Sequence, residues 1–156
     1  MDFGSLEATV AERIQYYARI KRVVDYVKRN VGEKLTLEQV ASIACMEKTA
    51  FSKCFKKRIG VSFSQYLRSY RVATAIAAMR GSDCSITEIA YRTGFSSSGA
   101  FARVFKQVTD SSPSSYRREM LRRDGFLVPP GKSAALAKDR SVSDTIREAS
   151  SDPPEL

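Results

Sequence analysis

Two sets of side chains recur about 50 positions apart in this 156-residue chain. Thr49, Ser52, Lys53 and Lys56 stand at i, i+3, i+4 and i+7, and Gly99, Ala102, Arg103 and Lys106 repeat the spacing. On a helix this spacing gathers four residues on one face. Hydroxyl, ammonium and guanidinium groups donate hydrogen bonds and add positive charge, so such a face suits a polyanion. It suits no covalent chemistry. The chain has no His, the commonest general base and zinc ligand. Paired carboxylates in a plausible pocket, a Gly-rich phosphate loop and a nucleophile motif are all missing, so an enzyme is not expected and no cofactor is implied. Cys45, Cys54 and Cys84 form no C-x-x-C pair and, without His, no standard zinc site. They read as buried or half-buried small hydrophobes in a reducing cytosol, with redox sensing as the rival role.

The elements that must position these faces are all helical, and no alternating strand pattern is evident. Thr9-Val10-Ala11-Glu12 reads as a capping box opening a helix to about residue 30, with Ile20, Val23, Val24, Val27 and Val31 as its apolar stripe and Gly32 as its stop. Thr36-Leu37-Glu38-Gln39 is a second capping box. A break at Cys45-Met46 precedes a helix over about 48–59, stopped by Gly60. Ser62 caps a helix ending at Gly81, Ser85 one stopped at Gly94, and a further helix covers 97–108. Ser112-Pro113 opens the last, to about residue 123. Residues 125–156, rich in Ser, Ala and charge and punctuated by Pro129-Pro130-Gly131 and Pro153-Pro154, read as a disordered tail with a weak helix over about 139–149.

The repeat extends beyond the two faces. Leu37-Glu38-Gln39-Val40-Ala41 matches Ile86-Thr87-Glu88-Ile89-Ala90 at an offset of 49. Phe51-Ser52-Lys53-Cys54-Phe55-Lys56 matches Phe101-Ala102-Arg103-Val104-Phe105-Lys106 at 50, as do Ser62 with Ser112 and Tyr66 with Tyr116. Each unit is a short capped helix, a tight turn and a longer helix, the helix-turn-helix plan. Phe51, Phe55 and Ile59, like Phe101, Val104, Phe105 and Val108, should face inward and leave the polar and basic faces outward. The predicted fold class is therefore all-α: seven helices forming two helix-turn-helix subdomains, about 36–59 and 85–108, joined by a linking helix over about 63–80.

Charge follows the repeat. Residues 1–124 carry 22 Lys/Arg against 12 Asp/Glu, net +10, whereas 125–156 carry 4 against 5, net −1. A major groove admits an α-helix and shows its base edges to short polar and basic side chains. Two readers in one chain could enter two successive grooves, about 34 Å apart. A linking helix roughly 25 Å long, with its flanking units, suffices for that span. One monomer then reads a non-palindromic site; a dimer is left open. Neither a signal peptide nor an apolar run near the ~20 residues of a membrane span is present, which points to a cytoplasmic, nucleoid-associated protein without membrane contact.

In Leu35 to Ala41, Phe55 to Gly60, Gln65-Tyr66-Leu67-Arg68, Ile86 to Ala90, Gly94-Phe95-Ser96-Ser97, Phe101 to Lys106 and Pro113 to Arg117, the chain resembles the AraC/XylS family of bacterial transcription regulators. The resemblance covers about residues 20–118, after an N-terminal extension over 1–19 that continues into the first helix; 119–124 close the last helix. It implies a seven-helix, two-lobed DNA-binding domain, acting mostly as an activator that touches RNA polymerase. It places Lys48, Thr49, Ser52, Lys53 and Lys56 on the first recognition helix, and Ser97, Ser98, Gly99, Ala102, Arg103 and Lys106 on the second. Many members carry an N-terminal effector-binding domain; about 19 residues precede the resemblance here, so the chain reads either as a short stand-alone member or as the DNA-binding piece of a longer protein.

Three positions depart from the family pattern. Cys45 stands where Gly is frequent, and since a side chain restricts positive φ the turn is expected to be built otherwise. Glu47 replaces a common Ser; Glu is a poor cap, and its charge either repels phosphate or accepts from a cytosine amino group. Asp110 replaces a frequent Gly, which it can mimic in the left-handed region. Lys53 and Arg103 are expected to read bases, Lys56 and Lys106 to sit nearer phosphates, and the helix ends at Thr36 and Ser85 to offer backbone donors to phosphate. The first unit, richer in donors, should dominate specificity. The rival reading is a helical adaptor or antagonist that no longer reads DNA. Tyr16, Tyr17 and Tyr26 are either partial core or a partner surface.

Overall fold

The computed structural model describes residues 3–124, with side chains from Val10 onward. The expected tail over 125–156, with its helix over 139–149, lies outside the described residues. Within them the chain forms seven α-helices and no strand: α1 (Phe3–Arg29), α2 (Leu37–Ile43), α3 (Lys48–Ile59), α4 (Phe63–Gly81), α5 (Ile86–Arg92), α6 (Ser98–Thr109) and α7 (Pro113–Arg123). They divide into two compact units.

The first unit holds α1, α2, α3 and the start of α4. The stripe of α1 buries Ile20, Val23, Val24 and Val27, and α2 adds Val40, Ala41 and Ala44. Phe51, Phe55 and Ile59 close the core from α3, with Phe63. The three phenylalanine rings form a triangle with centroids 5.4, 5.5 and 5.9 Å apart, two of the pairs edge-on. Each fully buried Phe contributes about 1.5–3 kcal/mol of burial, and the edge-on geometry adds to it. Gln39 N–H donates to Thr36 Oγ1 (3.3 Å) and Thr36 N–H to Gln39 Oε1 (2.8 Å), completing the capping box of α2.

The second unit takes residues 31–34, the rest of α4, and α5 to α7. Val72, Ala75 and Met79 of α4 are buried with Ile89, Ala90, Phe95, Phe101, Phe105 and Met120. Edge-on ring contacts run Phe95–Phe101–Phe105–Tyr116 at 5.1, 5.3 and 5.4 Å. Arg117 of α7 donates to the carbonyls of Cys84 (2.6 Å) and Ser82 (3.1 Å), tying α7 to the turn before α5. Arg71 of α4 donates through Nε to the Val31 carbonyl (3.1 Å) and through Nη2 to the Glu33 carbonyl (2.6 Å). Its guanidinium lies 6.0 Å from the Phe95 ring centroid, and burial holds its pKa below the ordinary arginine value.

Two boundaries differ from the sequence reading. Helix α1 starts at Phe3, so Thr9-Val10-Ala11-Glu12 lies inside it and opens nothing. A capping box is a local pattern, and it fails where the preceding residues continue the helix. Gly32 is no left-handed stop either, because among the described residues the positive-φ glycines are Gly60 and Gly94. Instead, a Cβ at Gly32 would stand 2.7 Å from the Arg92 carbonyl oxygen, so close backbone approach requires the glycine. Helix α1 ends at Arg29, and Asn30 Nδ2 donates back to the Tyr26 carbonyl (2.8 Å).

Candidate nucleic-acid interface

The two helix-turn-helix segments are built from the same backbone bonds. After α2, Cys45 N–H donates to the Ser42 carbonyl and Met46 N–H to the Ala41 carbonyl, both at 2.9 Å. After α5, Gly94 N–H donates to the Tyr91 carbonyl (3.0 Å) and Phe95 N–H to the Ala90 carbonyl (3.1 Å). This paired pattern is the Schellman motif, which requires a left-handed residue in the middle. Gly94 takes φ 87°, and Cys45 takes φ 51°. The expectation that Cys45 forces another turn is therefore overturned. The two backbone bonds of the motif outweigh the local cost, about 1–2 kcal/mol, of a side chain in that region. Downstream, Gly60 (φ 85°) and Asp110 (φ 58°) end α3 and α6 alike, as the Asp-for-Gly exchange anticipates.

The recognition helices differ at their first turns. Ser97 Oγ accepts from Ala100 N–H at 3.1 Å. Glu47, expected to cap poorly, caps α3 through Oε2, which accepts from Thr49 N–H (2.8 Å) and Ala50 N–H (3.1 Å). An extended backbone at Glu47 lets the longer side chain fold over the helix end. Those two N–H groups hold its carboxyl below the ordinary 4.5.

The outward faces lie as the repeat requires. Thr49, Lys53 and Lys56 are exposed and Ser52 is half-buried; Ser97, Ser98, Gly99, Ala102, Arg103 and Lys106 are exposed. Lys48 is exposed but turned toward α2, its Nζ 2.6 Å from Glu38 Oε1, so it sits apart from the others. The pair lowers the Glu38 pKa and raises that of Lys48, chiefly through their shared hydrogen bond. No spacing rule points to a pairing ten residues apart across a turn. A shallow cleft of about 430 Å³ beside α3, lined by Glu12, Arg13, Tyr16, Lys57 and Arg58, was likewise not readable from periodicity. Tyr16 and Tyr26 are half-buried, and Tyr17 is 38% exposed. No three His, Cys, Asp or Glu among the described residues are grouped to hold a metal, and no described helix is long and apolar enough to cross a membrane.

Known proteins share this arrangement. A helix-turn-helix domain family model matches residues 40–119. An uncharacterized HTH-type transcriptional regulator of Staphylococcus aureus is 33% identical over 99 residues, 64% of this chain and 13% of the relative. The regulatory protein PocR of Salmonella typhimurium is 33% identical over 103 residues, 66% of this chain and 34% of the relative. The chain thus spans between about an eighth and a third of the length of these relatives. Among solved structures, the DNA-binding domain of AdpA, in complex with a target DNA, superposes with a TM-score of 0.63 at 32% identity, covering 65% of this chain and 91% of that one. The C-terminal domain of AraT, a response regulator from Geobacillus stearothermophilus, gives 0.62 at 25% identity over 76% of this chain and 94% of that one. Carrying two helix-turn-helix units in tandem and matching the family model from α2 through α7, the chain belongs to the AraC/XylS-type helix-turn-helix family of transcription regulators.

Proposed function

We propose that the chain binds duplex DNA sequence-specifically, entering two successive major grooves of an asymmetric promoter site with α3 and α6, and activates transcription by touching RNA polymerase. One observation carries the reading: two helices with the same capped, Schellman-linked geometry present exposed basic residues at equivalent positions, Lys53 and Lys56 on one and Arg103 and Lys106 on the other. The relative AdpA, bound to a target DNA through a similar domain, supports it. Arg103 reads guanine through its planar fork, and Lys53 reads the other half-site. Thr49 and Ser52 add hydroxyl contacts, and Lys56 and Lys106 sit on phosphates. Ser97, Ser98 and Gly99 bring the end of α6 close to the backbone, and Ala102 faces a thymine methyl. Lys48 joins them by exchanging Glu38 for phosphate, since an exposed ion pair is worth little. A monomer suffices for this complex.

The test is selection from a pool of random duplexes, followed by titration of the enriched sequence. Saturable binding to a non-palindromic motif is the expected result. Enrichment of nothing would leave the chain as a helical adaptor and overturn the proposal.

A further inference from the structure

Because the units are duplicates, each recognition helix is a control for the other. Ser97 and Glu47 hold equivalent positions 50 residues apart, yet one caps with a neutral hydroxyl and the other with an anion. The Glu47 carboxylate is not a loose surface charge. Two backbone N–H groups hold Oε2 over the end of α3, at 2.8 and 3.1 Å, and the residue is exposed. The following cation, Lys48, pairs with Glu38 at 2.6 Å, and with phosphate in the complex proposed above, so in neither state is Glu47 its partner. The end of a recognition helix is the part that meets base edges in helix-turn-helix complexes. In the major groove guanine offers only acceptors, and thymine an acceptor and a methyl. Cytosine N4 and adenine N6 are the donors, adenine's lying beside the N7 acceptor. A fixed, ionised acceptor is repelled by the first two and by phosphate, and matches cytosine best.

We infer that Glu47 is a specificity-determining residue of the first unit, accepting from a cytosine amino group and excluding guanine and thymine at that position. The inference rests on the DNA-binding reading above. Holding the carboxylate before DNA arrives limits the rotamer entropy lost on contact. At neutral pH the carboxylate is ionised and acceptor-only, and the hydrogen bonds of the cap keep it so further into acid than an ordinary glutamate.

The experiment selects random duplexes with the wild-type chain, Glu47→Ser and Glu47→Gln in parallel. Serine is the cap that the second unit already uses, so the fold is retained, and a matched unfolding midpoint confirms it. The wild type is expected to enrich cytosine at one position of the first half-site, disfavouring guanine and thymine there roughly five- to fiftyfold, with adenine, a donor beside an acceptor, in between. Glu47→Ser flattens that position alone. Glu47→Gln weakens it and admits acceptor bases, because an amide can also donate. Identical motifs from all three chains, with or without a uniform change in affinity, would reduce Glu47 to a cap and overturn the inference. Absence of any motif from the wild type would instead overturn the DNA-binding reading.

Discussion

Cys45 and Gly94 occupy the same left-handed position in the two units, at φ 51° and 87°, but only one of them has room for a side chain. Cys45 is exposed, whereas a Cβ at Gly94 would meet the Val31 carbonyl oxygen at 2.6 Å and Arg71 Nη2 at 2.7 Å. Cys45→Gly should relieve backbone strain, offset in part by the freer unfolded chain, for a net gain of about 0.5–1 kcal/mol. Gly94→Ala adds a clash to the strain and should cost more than about 2 kcal/mol. Urea denaturation of both variants checks the opposite signs.

Arg71 should prove a structural residue of the second unit. Its two bonds to the Val31 and Glu33 carbonyls come from one half-buried guanidinium, so Arg71→Ala is expected to cost about 2–3 kcal/mol. Arg71→Lys should recover little, because an ammonium cannot reproduce the fork. Hydrogen exchange at residues 31–34 would register the loosening directly.

Arg103 and Lys106 should separate by the kind of binding they lose. Arg103→Ala is expected to cost about 1–3 kcal/mol on the selected duplex and to relax one base position. Lys106→Ala should weaken binding to all sequences alike and reduce the slope of log K against log salt by about 0.9. Uniform weakening by Arg103→Ala would mark it as a backbone contact.

The cap at Glu47 has a pH signature. Its carboxyl is depressed in the folded chain below the ordinary 4.5. The ionised cap therefore contributes stability that is fully present above 4.5 and is lost as the pH falls through the lower, folded value. Acid titration of the unfolding midpoint should show a smaller decline for Glu47→Gln than for the wild type below about pH 5. Equal declines would mean that the two N–H bonds do not form in solution.

Randomising each half-site in turn should yield more sequence information from the one read by α3. That helix offers Thr49, Ser52 and Lys53, whereas α6 has Gly99 and Ala102 at equivalent places, with little to donate. Equal information from both would remove this asymmetry.

Local physics made most of the fold legible. Ser, Thr and Pro at helix starts and Gly at helix ends act over three or four residues, so α2 through α7 were readable to within a residue or two. Inward Phe51, Phe55, Phe101 and Phe105 followed from period alone. Contacts across long separations were not readable: Arg71 meets Val31 40 residues away, Gly32 meets the Arg92 carbonyl, and Lys48 crosses a turn to Glu38. Cys45 and Glu47 misled for the opposite reason. Propensity disfavours each residue at its place, but the surrounding backbone bonds decide the conformation.

The unequal crowding at the two turns has an evolutionary consequence. A duplicated part ordinarily leaves both copies under the same filter. Here a mutation arriving at Cys45 is screened only by backbone strain, while one arriving at Gly94 must also displace a carbonyl and a guanidinium. The turn of the first copy thus tolerates a wider set of residues than the turn of the second, so the two halves of one duplication are held to their shape by unequal constraints.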